Sequence, residues 1–215
     1  MRLATLLRFL FFAFVVRPVM YVAIGLNVRH RHRLPRHGPA IVVANHNSHM
    51  DTMALMSLFP LRMLPKIRPV AAEDYFMSSK AFGWFAANII GIVPIDREAV
   101  TKGRDPFKAC HDALADESVL LVFPEGTRGR PERLSSFKKG IGYLADRHPT
   151  VPIIPVFLHG FGKVLPKGDW VPVPFFCDIF VGDPVARAGS HEAFTAALEA
   201  RIHRLAIEEP RPTWE

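Results

Sequence analysis

The chain has 215 residues, enough for one globular domain with a short appended segment. Because 49% of its residues are hydrophobic and 22% are charged, the composition excludes an intrinsically disordered or collagen-like chain. The net charge of +7 favours anionic partners. Cys110 and Cys177 lie far apart without metal-ligand spacing, so the sequence indicates neither a disulfide framework nor a zinc module, and a reducing compartment fits best.

The first 26 residues are strongly apolar, except for Arg2, Thr5, Arg8 and the Arg17-Pro18 pair. One helix of about 24 residues would be roughly 36 Å long, which is enough to cross a hydrocarbon core of about 30 Å. However, an arginine near the bilayer centre costs about 2.5 to 3.5 kcal/mol, and Pro18 removes a helical hydrogen-bond donor at the same place. We therefore predict a bent, partly inserted membrane-associating arm over residues 1–27. The same interruption disfavours a secretory signal peptide.

A basic run follows the arm at residues 28–37. Basic segments beside an apolar arm are attracted to an anionic leaflet by about 1 kcal/mol per charge. A contact with lipid headgroups and a solvated linker both explain the run, whereas nucleic-acid binding would need an aromatic and basic platform that is missing here. We predict an anionic membrane surface as a partner and no nucleic acid. The run contains Arg29, Arg31, Arg33, Arg36, His30, His32 and His37.

The rest of the chain alternates short β-rich runs with helical patterns. Runs that are apolar on both faces indicate buried strands. The predicted strands cover residues 40–46, 68–72, 91–96, 118–126, 151–160 and 177–185, and the predicted helices cover 105–117, 137–148 and a last helix from an N-cap at Ser190 to a stop at Pro210. This alternation predicts a single α/β domain over residues 28–210, with a largely parallel central sheet flanked by helices.

A cluster of titratable side chains follows the first of these strands, where α/β sheets bind ligands. On one continuous helix His46 and Asp51 would point about 140° apart, so a direct pair needs His46 in the turn and Asp51 in the next helix. An aspartate bonded to one imidazole nitrogen fixes the tautomer and leaves the other nitrogen to take a proton from an alcohol. The spacing therefore indicates a general base.

Three other interpretations of this cluster stay open. His46 could cap a helix with Asp51 as an ordinary acid of its first turn. His46, His49 and Asp51 could be metal ligands, although no second ligand-spaced cluster follows. Ser48 could be a nucleophile, but it lacks the G-x-S-x-G elbow.

Two further motifs, at residues 91–97 and 123–128, have the chemistry of anion binding. Glycine allows a close backbone approach, and threonine and arginine bind oxyanions, arginine through a bidentate fork. Taken singly, these motifs are better explained by an ordinary turn and by solvent-exposed arginines.

Together, the motifs resemble the glycerolipid acyltransferase family that includes bacterial 1-acylglycerol-3-phosphate acyltransferases. The likeness covers roughly residues 36–185 and rests on the order of several blocks. The blocks are H-x4-D at residues 46–51, G-x3-I-D-R at 91–97, F-P-E-G-T-R at 123–128, F-K-x-G at 137–140 and V-P-I-I-P-V at 151–156.

The resemblance implies an enzyme that moves a fatty acyl group from acyl-CoA or acyl-carrier protein to the free hydroxyl of a lysophospholipid. The expected acceptor is 1-acylglycerol-3-phosphate, in phospholipid biosynthesis at the cytoplasmic face of the inner membrane. The resemblance implies no metal ion and no covalent acyl-enzyme, and we predict no cofactor. His46 and Asp51 would be catalytic, and the residues expected to bind substrate are Arg97, Glu125, Gly126, Thr127, Arg128 and Lys138.

Alternatives to this function remain. The acceptor could be another lysolipid, such as a lyso-ornithine lipid. A metal-dependent hydrolase or a nonenzymatic lipid-binding protein would also account for parts of the sequence.

Overall fold

The computed structural model describes residues 3–73, 79–99, 101, 103–129, 133–164 and 175–208. Within them, seven strands form one sheet in the order β1-β7-β6-β2-β5-β3-β4. Neighbouring strands are parallel, except for the antiparallel pair β6 and β7. The predicted α/β fold with a largely parallel sheet is therefore confirmed. The strands are β1 (Leu26–Arg29), β2 (Ala40–Ala44), β3 (Ile67–Ala72), β4 (Val93–Ile95), β5 (Val119–Val122), β6 (Ile153–His159) and β7 (Cys177–Val181).

The helices alternate with these strands. Short 3-10 helices cover Arg31–Arg33 and Leu61–Lys66, and α3 continues as a π-helical turn over Ala86–Ile90. Ser190 caps α7 by accepting a hydrogen bond from the Ala193 amide, as predicted; the predicted stop at Pro210 lies outside the described residues. The helices are α1 (Leu3–Ala23), α2 (Met50–Ser57), α3 (Lys80–Phe85), α4 (Lys108–Ala115), α5 (Gly140–Arg147), α6 (Phe161–Val164) and α7 (His191–Ile207).

Strand β1 is the one strand of the described chain that the sequence did not predict. It pairs in parallel with β7 at the edge of the sheet, and the Asn27 amide donates to Asp178 at 2.7 Å. Leu26 and Val28 are half-buried, whereas Asn27 and Arg29 are exposed, so β1 alternates as an edge strand does. The boundary predicted between residues 27 and 28 lies within this strand and stays a prediction.

Helices cover the sheet on both faces. Ile41, Val43 and Leu120 pack in one cluster with residues of α4, α5 and α7. Val42 and Leu121, which point the other way, pack in a second cluster with residues of α1 and α2. The central strands are therefore buried on both sides, which explains why they are apolar without alternation.

Helix α1 belongs to the second cluster along one face only. Phe12 and Met20 are buried in it, whereas Phe14 and Val22 are 72% and 84% exposed. The helix runs unbroken through Arg17-Pro18, with π-helical turns on both sides. By length and composition α1 could cross a bilayer. Only 22% of its most apolar stretch of 18 residues is buried in the protein.

The arginines of α1 point toward the protein. Arg8 donates to the carbonyl oxygens of Ile89 at 2.8 Å and Leu64 at 2.9 Å. Gly91 leaves room for this side chain, because a Cβ there would stand 2.0 Å from Arg8 Nη2 and its φ is +81°. Arg17 donates to the carbonyl oxygen of Phe59 at 2.7 Å. These bonds attach α1 to the α2 and α3 side of the molecule.

Candidate active site

The predicted cluster lies at the carboxyl end of β2, in the middle of the sheet. His46 occupies the turn after this strand, and Asp51 lies in the first turn of α2. The turn brings the two side chains together, with His46 Nδ1 2.9 Å from Asp51 Oδ2. The arrangement is the one that the spacing requires for a direct pair.

Asp51 fixes the tautomer of His46. Its carboxyl is fully buried, and Oδ2 also accepts the backbone N–H groups of Asn47 at 2.6 Å and Ser48 at 2.8 Å. Burial raises the pKa of Asp51, while the hydrogen bonds from His46 and the two amides oppose that rise. Because Oδ2 already accepts from two backbone amides, it acts as an acceptor toward the imidazole as well. A neutral His46 therefore carries its proton on Nδ1 and has Nε2 as its acceptor.

The turn after β5 holds His46 from the other side. Glu125 is buried, and its Oε1 accepts the His46 backbone N–H at 2.9 Å. The Gly129 amide donates to the His46 carbonyl oxygen at 2.9 Å, and the ring of Phe123 stacks on the imidazole with centroids 4.3 Å apart. Burial raises the pKa of Glu125, opposed by bonds from His46 and Ser135. Glu125 therefore positions His46. The expected contact of Glu125 with the lipid substrate stays a prediction.

Positive side chains surround the same turn. Arg97 donates to the Gly126 carbonyl oxygen at 3.0 Å. Gly126 has a φ of +72°, and a Cβ there would stand 2.7 Å from Lys138 Nζ. Arg128 is half-buried and Thr127 is exposed at the surface. The residues expected to bind substrate thus converge on one turn beside His46, although their role stays a prediction.

The second histidine of the motif, His49, is partly exposed and has a different environment. Partial burial, followed by the positive charges of Arg128 and His46, lowers the pKa of His49 to about 4. His49 is therefore neutral at neutral pH. The histidine that bonds to Asp51 is His46. Across the described residues, no group of three or more His, Cys, Asp or Glu side chains is arranged to hold a metal ion.

The lowered pKa of His49 predicts a pH-dependent stability. Between its ordinary value of 6.5 and about 4, the unfolded chain binds a proton that the folded protein does not, so stability falls as the pH is lowered through this window. His49→Gln removes this contribution. We expect the free energy of unfolding in urea to fall less between pH 7 and pH 5 in the variant than in the wild type. Equal falls would contradict the environment described for His49.

Asn45 is a site residue that the sequence reasoning missed. Its amide donates to the Leu158 carbonyl oxygen at 2.9 Å, and its Oδ1 accepts the Leu158 N–H at 2.7 Å. The side chain thus imitates a backbone pair and extends the β2–β6 pairing to the residue before His46. An asparagine directly before the histidine at a strand end was the available signal. The stacking of Phe123 was missed as well, because it depends on the neighbouring strand.

Comparisons with known proteins identify the family of this chain. The family described as Acyltransferase matches residues 25–159, which include both strand-end turns. The crystal structure of the 1-acyl-sn-glycerophosphate (LPA) acyltransferase PlsC from Thermotoga maritima superposes with a TM-score of 0.74 at 22% identity, over 99% of this chain and 81% of that one. This likeness shows a shared fold.

Curated relatives point to the same family. The chloroplastic 1-acyl-sn-glycerol-3-phosphate acyltransferase LPAT1 of Arabidopsis thaliana is 32% identical over 69% of this chain and 40% of its own length. The human 1-acyl-sn-glycerol-3-phosphate acyltransferase alpha is 28% identical over 83% of this chain and 61% of its own length. The chain thus spans about two fifths of the length of the Arabidopsis relative and about three fifths of the length of the human one. The family match covers more than half of the chain and includes the H-x4-D pair and the turn that holds it. The chain therefore belongs to the acyltransferase family.

Proposed function

We propose that this chain transfers a fatty acyl group from acyl-CoA or acyl-carrier protein to the free hydroxyl of 1-acylglycerol-3-phosphate, in phospholipid biosynthesis. The observation that carries the proposal is the bond of His46 Nδ1 to the buried Asp51, which leaves Nε2 as a base at a strand end. The names of the Arabidopsis and human relatives support a lysophosphatidic acid acceptor.

The chemistry of the pair suits transfer to an alcohol. Nε2 of His46 takes the proton of the acceptor hydroxyl as the oxygen attacks the thioester carbonyl carbon. The new C–O bond forms, the C–S bond breaks, and the imidazolium returns the proton to the departing sulfur. Asp51 stabilises the imidazolium in between. General-base assistance of this kind contributes about 10² to 10⁴ in rate.

The cations at the turn of residues 123–128 account for a phosphate-bearing acceptor. Arg97 and Lys138 lie beside Gly126. The positive charge of Arg128 is close enough to the H-x4-D motif to lower the pKa of His49. A guanidinium binds phosphate through two parallel hydrogen bonds, so Arg128 is the side chain best suited to hold the phosphate near His46.

The exposed apolar surface supports a place on the membrane. Phe11 of α1 packs against Phe85 of α3 with ring centroids 5.4 Å apart, so the two helices share one side of the molecule. We propose that this side is seated in the cytoplasmic face of the inner membrane, where lipid acceptor and cytosolic thioester meet. The exposed apolar side chains of the two helices include Leu3, Leu6, Leu7, Phe9, Leu10, Phe14, Val15, Val22, Phe82 and Trp84.

Membrane binding should depend on the outer face of α1. Changing Phe14→Ser together with Val22→Ser removes two exposed side chains, each of which contributes about 1.5 to 3 kcal/mol when fully buried. We expect binding to liposomes in a flotation assay to weaken at least about 10-fold, with the free energy of unfolding nearly unchanged. Phe12→Ser, on the buried face of the same helix, should instead destabilise the fold. Unchanged flotation of the double variant would contradict the seating.

An acyl-transfer assay tests the proposed function directly. The purified chain is incubated with acyl-CoA or acyl-carrier protein and a panel of acceptors, namely 1-acylglycerol-3-phosphate, lysophosphatidylcholine, a lyso-ornithine lipid and monoacylglycerol, and products are measured by mass spectrometry. We expect phosphatidic acid to form fastest. Faster acylation of another acceptor would replace the assigned substrate, and hydrolysis of the thioester without acylation of any acceptor would refute the transferase.

A further inference from the structure

A second basic site lies away from the active site. It is a cleft of about 450 Å³ between the segment before β2 and the segment after α2. Its basic side chains combine with buried apolar ones, and its described lining includes no carboxylate. The lining comprises Arg31, His32, Leu34, Pro35, Arg36, Leu58, Phe59, Pro60, Arg62 and Met63.

This cleft and His46 are at opposite ends of the β2–α2 unit. His46 lies between the end of β2 and the start of α2, whereas the cleft is lined by residues before β2 and after α2. The eight residues of α2 and the five of β2 separate the two sites by about 12 to 16 Å. A phosphate in the cleft therefore could not present a hydroxyl a few bonds away to His46.

The arginine side chains of the cleft are placed to bind an anion. Arg31 donates through Nη2 to the Leu58 carbonyl oxygen at the end of α2, which holds its guanidinium at the rim and leaves other N–H groups to bind. Arg36 and Arg62 are exposed at the same cleft. Guanidinium groups arranged around one concavity suit a phosphate, which accepts from several of them at once.

The cleft continues toward the apolar face of α1. A second cleft of about 190 Å³ shares Arg62 with the first. Its other lining residues are Thr5, Arg8, Phe9, Leu61, Leu64 and Pro65, and the Arg8 guanidinium donates to the Leu64 and Ile89 carbonyl oxygens. Phe9 is 42% exposed and belongs to the apolar surface of α1. The basic cleft and the mainly apolar second cleft thus meet at Arg62, and this pairing matches the headgroup and acyl chain of a phospholipid.

We propose that the basic cleft binds one anionic phospholipid by its phosphate, with an acyl chain along the adjoining cleft and α1. The lipid is a ligand of the protein and not its reacting acceptor, because the cleft is remote from His46. A zwitterionic lipid fits poorly, since its ammonium group would face Arg36 and Arg62 without a carboxylate among the described lining residues.

Native mass spectrometry of the full chain in neutral detergent tests the proposal. Phosphatidylglycerol is titrated and the retained lipid is counted, with phosphatidylcholine as the comparison lipid. We expect one saturable phosphatidylglycerol on the wild type and about 10- to 30-fold weaker binding after Arg36→Gln with Arg62→Gln. The matched control is Arg147→Gln with Arg204→Gln, which removes the same charge from exposed positions on α5 and α7, on the opposite face of the sheet.

Each result separates this site from the alternatives. If the control variant binds phosphatidylglycerol as weakly as the cleft variant, the binding reflects diffuse electrostatic attraction and not a site in the cleft. Equal retention of phosphatidylcholine by the wild type would refute anion recognition. Loss of the lipid on Arg128→Ala would place it in the active site instead. Recovery of binding in Arg36→Lys with Arg62→Lys shows that charge, and not a fold defect, causes the loss. Acyl transfer by the wild-type preparation is measured separately, so failure of the lipid site and failure of the proposed function are distinguishable.

Discussion

His46→Ala should lower turnover by about 10² to 10⁴, because the variant lacks the proposed base for the proton of the acceptor hydroxyl. The fold should survive, since Asp51 keeps the amides of Asn47 and Ser48 as hydrogen-bond donors after the imidazole is removed. The measurement is kcat with 1-acylglycerol-3-phosphate and an acyl thioester, accompanied by a urea unfolding curve and liposome flotation to show that stability and membrane binding are retained.

Two further variants make this result specific. His49→Ala should retain most of the activity, because the bonds that position His46 come from Asp51 and Glu125. Asp51→Asn should be severe, since an amide beside Nδ1 can select the wrong tautomer while the packing is kept. Near-normal turnover of His46→Ala, combined with a large loss in His49→Ala, would show that the base has been assigned to the wrong histidine.

The pairing of His46 with Asp51 could be predicted because it is local. A strand end and five residues of spacing fix the geometry once the turn is recognised, and the apolar runs mark the buried strands. The contact of His46 with Glu125 could not be predicted in the same way. It depends on β5 being the neighbour of β2, and strand order in a parallel sheet is set by crossovers between segments far apart in sequence.

The two faces of α1 show another limit of sequence reasoning. Phe12 and Phe14 are the same residue type in one apolar run, yet the first is buried and the second is 72% exposed. A helix packed on a sheet and a helix seated in a bilayer both need apolar side chains, so composition alone does not separate the two environments. Strand β1 was missed for a similar reason, since its polar positions resembled the start of the basic run.

Arg128→Ala should lower kcat/KM by about 10- to 160-fold, since hydrogen bonds to a charged group contribute about 1.5 to 3 kcal/mol. Arg128→Lys should recover part of the loss, because lysine keeps the charge but not the bidentate geometry. Arg128 gives a cleaner test than Arg97, whose side chain already donates to the Gly126 carbonyl oxygen and so supports the turn itself.

The loss in Arg128→Ala must depend on the phosphate of the acceptor if Arg128 binds it. Comparing 1-acylglycerol-3-phosphate with uncharged monoacylglycerol isolates this dependence, because the two acceptors share the reacting hydroxyl. We expect the variant to lose activity mainly on the phosphate-bearing lipid, whereas Arg97→Ala, which also loosens the turn at Gly126, should lower activity on both. An equal loss on the two acceptors in Arg128→Ala would assign Arg128 to the structure of the turn, since a side chain that only supports His46 affects every acceptor alike.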